Sequence, residues 1–104
     1  MARFDVYSNP DDSEHAFVPY LLDVQNNFLD IIDTKMVIPL HTTLDFPTRV
    51  RDLNPVFDIK GQTVVLNTAA MGAVPAHALR RPVTNLSAQQ LDITNALDTL
   101  FGGY

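Results

Sequence analysis

Cysteine is absent from the 104 residues of this chain. That one absence removes a thiolate nucleophile, a cysteine-ligated zinc site and a disulfide framework together, and with them any argument for an oxidising compartment. Long apolar runs are also missing, since nothing approaches the roughly 18 residues of a membrane-crossing helix. The start "MARFDVYSNP" carries an arginine, but no apolar stretch follows it before "PDDSE", so no signal peptide is expected. The expectation is a cytoplasmic protein with no membrane partner. Positive charge is scarce: 7 basic residues stand against 12 acidic ones, a net charge of −5. A chain that grips nucleic acid alone needs a concentrated basic face, and only "RVR" at 49–51 and "RR" at 80–81 are basic clusters.

Catalytic and cofactor signatures are equally sparse. His15, His41 and His77 show neither the i, i+4 pairing nor a carboxylate set with metal-ligand spacing. His77, close to Arg80 and Arg81, is the one histidine with a chemical context, because an imidazole beside guanidinium groups is the minimum for acid–base attack on RNA. Carboxylates gather at Asp11, Asp12 and Glu14, and again at Asp30 and Asp33. They read as exposed, without the opposed environments that separate an acid from a base. The four glycines build no phosphate loop, and no serine sits in a nucleophile elbow. No catalytic residue, cofactor or metal site is expected.

What is present is a globular composition, 46% hydrophobic and 18% charged, long enough for one domain with its own core. "RFDVY" alternates, with Phe4 and Val6 on one face and Arg3, Asp5 and Tyr7 on the other. After the turn-rich "SNPDDSE", "FVPYLLDVQ" reads as a second strand, with Pro19 pointing to an edge or bulge. "TKMVIPL" reads as a buried strand ending near Pro39, and residues 41–55 as either one helical turn or a loop. "VFDIKGQTVVLN" is a hairpin turning at "KG", and "AMGAVP" is a further short strand. So many short strands are best accommodated by one sheet that curls on itself.

The last segment changes period from two to about 3.6. Ser87 and Gln90 have capping-box spacing, and Leu86 and Leu91 have that of a hydrophobic staple. Ile93, Ala96, Leu97, Leu100 and Phe101 form one stripe, and Gly102 is a natural C-cap. The predicted fold is mainly β with a C-terminal α-helix, a small barrel occupying residues 1–104 as a single domain. "FLDII", with Phe28, Leu29, Ile31 and Ile32, reads either as a buried turn or as an apolar interface framed by polar residues.

Taken in order, "DVQNNFLD" (23–30), "MVIPL" (36–40), "NPVFDI" (54–59), "AAMGAVP" (69–75) and "NLSAQQLDITNALDTLF" (85–101) resemble the CcdB toxins of toxin–antitoxin modules. The resemblance runs from "FDVY" onward, over nearly the whole chain. It implies an SH3-like small β-barrel of the CcdB/MazF toxin type, assembled as a homodimer. It further implies a poison that binds the DNA gyrase A subunit and traps the cleaved complex without cutting DNA itself. A CcdA-like antitoxin would neutralise it, and the two together would repress their operon, reaching operator DNA only through the antitoxin.

Carried across residue by residue, the family's gyrase contacts fall on Phe28, Leu29, Asp98, Phe101, Gly102, Gly103 and Tyr104. Phe28 and Leu29 stand where the family has isoleucines, and Asp98 replaces an asparagine. In the tail, Gly102 replaces a tryptophan and Tyr104 an isoleucine, while the intervening glycine is kept. An indole is a strong interface anchor, so the aromatic contact is either lost or passed to Tyr104. Arg49, Arg51, Arg80 and Arg81 are candidate charge partners for an acidic antitoxin segment. Two alternatives stand beside this reading: a CcdB-like dimer with lost or altered gyrase targeting, and a MazF-like endoribonuclease on the same fold.

Overall fold

The computed structural model describes residues 2–46 and 48–102. Among these residues seven strands form one antiparallel sheet: β1 (Asp5–Ser8), β2 (Tyr20–Asp23), β3 (Thr34–Thr42), β4 (Val56–Ile59), β5 (Gln62–Leu66), β6 (Gly72–Pro75) and β7 (Pro82–Asn85). The path runs β4-β5-β3-β2-β1-β7, with β6 pairing β3 as a branch. One α-helix, α1 (Gln90–Phe101), follows the last strand. This is the expected curled, mainly β architecture with a C-terminal helix.

The long strand β3 is the hub. One edge pairs β2 from Val37 to Leu40; the other pairs β6 from Thr34 to Val37 and β5 from Leu40 to Thr42. The strand therefore continues past Pro39 instead of ending near it. The reason lies in the handover between β6 and β5. The Pro39 carbonyl accepts from the Asn67 N–H at 2.9 Å, so the missing N–H of Pro39 faces the same gap, where no ladder bond is required. Pro19 likewise marks no edge. It lies just before β2, which is flanked by β1 and β3, and its carbonyl accepts from Asn9 N–H at 3.0 Å.

Two apolar clusters cover the two faces of the sheet. The larger gathers Phe4, Val6, Leu22, Ile38, Leu40, Phe57, Ile59, Val64 and Leu66 against Ile93 and Ala96 of α1. The smaller joins Tyr7, Val18, Leu21, Val37 and Leu79. The alternation in "RFDVY" thus separates two buried faces, not a buried one from a wet one. Phe4 adopts a left-handed φ of 72°, an uncommon state for a bulky residue. It is held there by its N–H to the Asp23 carbonyl at 2.7 Å and by Leu86 N–H donating to its own carbonyl at 2.9 Å. At the β4–β5 hairpin, Lys60 and Gly61 both have positive φ, 51° and 83°. This is the two-residue geometry that matches strand twist.

Residues 41–55 contain no helix among those described. Buried Asn54 pins this loop: its Nδ2 donates to Leu66 O and its Oδ1 accepts from Val50 N–H, both at 3.0 Å. At the helix start the expected capping box does not form. Residues Ser87–Gln89 make a 3₁₀ turn first, the helix proper begins at Gln90, and Asn85 Oδ1 accepts from Ser87 N–H at 2.8 Å. The staple is absent as well, because that extra turn rotates Leu91 outward to 81% exposure while Leu86 stays buried. The helix closes on Gly102, whose φ of 72° lets its N–H reach the Asp98 carbonyl, as a C-cap glycine does.

Burial, followed by the charges of Asp5 and Asp23, pushes the Tyr7 hydroxyl up from 10.0 to about 12. A folded-state value above the unfolded one means that the unfolded chain gives up its proton first, so stability falls as pH rises between those values. Urea unfolding should show a declining midpoint from pH 10 to 12. A tyrosinate absorbance titration should contain a late step that is lost in Tyr7→Phe.

Candidate protein-binding site

Between β2 and β3 the chain makes a short 3₁₀ turn, Asn27–Leu29, in which no residue is buried. Asn26 caps it, its Oδ1 accepting from Phe28 N–H at 2.9 Å. The turn and the residues after it place four large apolar side chains in solvent: Phe28 and Ile31 are each 90% exposed, Leu29 47% and Ile32 46%. The buried-turn reading of "FLDII" is therefore wrong. Contiguous exposed apolar side chains beside asparagine and aspartate have the make-up of an interface centre with a polar rim.

Beneath this loop lies a charged cluster that sequence reasoning missed. Lys35, on β3, is buried, and its ammonium faces Asp23 Oδ2 of β2 at 3.5 Å while donating a short hydrogen bond to Asp30 Oδ1 in the loop. Asp23 is buried, and its Oδ1 accepts from Gln25 N–H at 2.9 Å. Burial raises the Asp23 carboxyl, against the opposing pull of the Gln25 N–H and of Lys35. The Asp30 carboxyl is lowered by its Lys35 hydrogen bond. For Lys35, burial alone would lower the ammonium, and the Asp30 bond with the two nearby negative charges outweighs it, so the net direction is up. The available signal was the strand phase. Lys35 alternates with Val37, a core residue of the smaller cluster, and a lysine in a buried phase requires a partner.

Gln25 completes the arrangement. Its Nε2 donates to Leu29 O at 3.3 Å and Thr34 O at 3.0 Å, and its Oε1 accepts from Met36 N–H at 3.0 Å. A second tether reaches the helix side of the molecule. Asn27 Oδ1 accepts from Arg3 N–H at 2.8 Å, and Asn85, at the end of β7, donates to Arg3 O at 3.1 Å.

The family-derived residues fall on two elements. Phe28 and Leu29 stand on the loop, while Asp98, Phe101 and Gly102 share the last turn of α1. Phe101 is 71% exposed, so the buried stripe of the helix stops short of it. Gly103 and Tyr104 lie outside the described residues. The four arginines divide between two clefts. Arg49 and Arg51 line one of about 330 Å³ that also holds Asp52 and Asp92, and Arg49 Nη1 donates to the Asn54 carbonyl at 3.0 Å. Arg80 and Arg81 line another, of about 460 Å³, together with His77, Ser8 and Asn9. The structure thus brings His77 beside both arginines, with no carboxylate among that cleft's lining residues.

His15 bonds Ser8 Oγ at 3.0 Å. His41 pairs with Asp45 at 3.2 Å and with Asn67 at 3.1 Å. Among the described residues no three His or acidic side chains are grouped to hold a metal, and no helix is long and apolar enough to cross a membrane.

A small curled sheet with a C-terminal helix is the architecture of the CcdB/MazF small-barrel toxins. The chain matches the family described as CcdB protein over residues 3–103, and it belongs to that family. It is accordingly a toxin of a type II toxin–antitoxin system that targets DNA gyrase, and it is not itself an enzyme.

The loop surface and the cluster beneath it should respond differently to substitution. Phe28→Ser and Ile31→Ser should change folding stability by no more than about 0.5 kcal/mol, as exposed sites do. Lys35→Met leaves the Asp23 charge buried without a counterion and should cost about 3–5 kcal/mol near neutral pH. Chemical denaturation of the three variants checks the contrast.

Proposed function

We propose that this toxin binds the gyrase A subunit through the apolar loop Phe28–Ile32 and the last turn of α1, and traps the gyrase–DNA cleavage complex. The observation that carries the reading is the loop itself. Four large apolar side chains are held in solvent by polar bonds, an arrangement costly to solubility and useful for docking. Phe28, Leu29, Asp98, Phe101, Gly102, Gly103 and Tyr104 are the proposed contacts. Tyr104 takes over the aromatic role that Gly102 cannot fill.

The toxin works as a homodimer, since a two-fold axis lets both copies engage a two-fold target. A CcdA-like antitoxin neutralises it in the cytoplasm through an acidic segment that folds on binding and that is drawn to Arg49, Arg51, Arg80 and Arg81. The pair reaches operator DNA through the antitoxin, which suits a toxin carrying a net charge of −5.

Incubation with gyrase, plasmid and ATP should yield linear plasmid only when gyrase is present, and RNA should stay intact in a parallel reaction. Phe28→Ala should weaken gyrase binding by about 2 kcal/mol or more if Phe28 is an anchor. Deleting Gly102 to Tyr104 should abolish trapping while antitoxin binding survives. Equal trapping by wild type and both variants would sink the assignment of this surface. Sedimentation at micromolar concentration should give twice 11.6 kDa, and rising salt should weaken antitoxin binding.

A further inference from the structure

We propose that Asp30, Lys35 and Gln25 are positioning residues for gyrase recognition: they hold the apolar loop in its docking shape and make no contact with the target themselves. The inference rests on the reading that Phe28 and its neighbours meet gyrase. No residue of the 3₁₀ turn is buried, and Leu29 and Ile32 are only half covered, so packing against the core holds this loop weakly. Its conformation depends on hydrogen bonds.

Within the loop these are turn bonds: Leu29 N–H to Asn26 O at 2.9 Å, Asp30 N–H to Asn27 O at 3.2 Å and Ile32 N–H to Leu29 O at 3.1 Å. Such bonds on an exposed segment open readily on their own. The links to the body are few. Lys35 holds the Asp30 carboxylate at the middle of the loop. Gln25 holds the Leu29 carbonyl and closes the base through Thr34 O and Met36 N–H. Arg3 and Ala76 add one backbone donor each, to Asn27 Oδ1 and Asp33 O, both at 2.8 Å.

Burying a lysine is expensive, and one buried partner already neutralises it. Lys35 has Asp23 for that, with both side chains almost wholly out of solvent. Its second partner, Asp30, has a side chain 43% exposed, and an exposed carboxylate needs no counterion to be stable there. What the second bond supplies is position: it ties the centre of the loop to the rigid strand β3. A loop that samples its binding shape only part of the time binds with an affinity reduced by that fraction.

Asp30 is the residue to vary, because its removal leaves the buried Lys35–Asp23 pair in place. Asp30→Ala should lower the denaturation midpoint less than Lys35→Met does, because the Lys35–Asp23 ion pair remains. It should speed hydrogen exchange at the amides of residues 29, 30 and 32 in the free protein. It should also lower the association rate with gyrase A about tenfold while leaving the dissociation rate nearly unchanged. Asp30→Asn, which keeps an acceptor for Lys35, should recover part of both effects. Phe28→Ala serves as the separate arm, since a lost contact raises the dissociation rate and leaves exchange in the free loop unaltered.

If Phe28→Ala weakens binding but Asp30→Ala changes neither exchange nor association, the positioning role is wrong and the docking surface stands. If Asp30→Ala raises only the dissociation rate, Asp30 is a direct contact and the proposal falls. If neither variant affects gyrase binding, the docking surface falls and the positioning role falls with it.

Discussion

Everything in this fold refers back to strand β3. It is the longest strand, it pairs with three others, and each pairing sets where a functional element begins. Its first residues carry Lys35 and close the base of the apolar loop; its middle supplies Ile38 and Leu40 to the main core. Pro39 stands where one edge partner gives way to the next. An antiparallel strand buried on both faces has little freedom to slip, since a one-residue shift would exchange its two sets of side chains. The loop that precedes β3 therefore inherits a rigid end, and so does the turn that follows β5.

The second organising feature is electrostatic. A buried ammonium between two carboxylates is a poor source of net stability, because desolvation offsets most of the attraction. It is a good source of specificity, because breaking it is costly and few geometries satisfy it. Here the pair Lys35–Asp23 anchors two neighbouring strands and the bond to Asp30 carries that order outward. Nearby, Tyr7 is buried against the same negative charges and keeps its proton far into the alkaline range. The smaller face of the sheet is thus apolar in bulk and ionic at one end.

Much of the architecture was legible in the sequence wherever one local rule decided it. The "KG" turn required two positive φ angles and has them, and Gly102 ends the helix in the left-handed state. The rules failed where two local solutions competed. Asn85 took over the cap expected of Ser87, and the resulting 3₁₀ turn swung Leu91 into solvent. "FLDII" left a buried turn and an interface both open, because apolar residues are usually buried. The group that ties this loop to the sheet, Lys35, lies just beyond it at the start of β3, and periodicity in the loop itself does not report that bond. The proposed site residues came from the family's residue order, while the segment's own pattern left a buried turn and an interface both open; of the polar framework beneath, only the strand phase of Lys35 left a signal.

The absence of any buried side chain in the turn Asn27–Leu29 separates recognition from folding. In most interfaces a residue that meets the partner also fills part of its own core, so a change that suits a new partner damages the host. Phe28 and Ile31, each 90% exposed, would carry no such double duty as docking residues. Phenylalanine at position 28 and isoleucine at 31 could be exchanged with little change to the core. A toxin built this way can follow a drifting target surface one side chain at a time, each step neutral to its own fold.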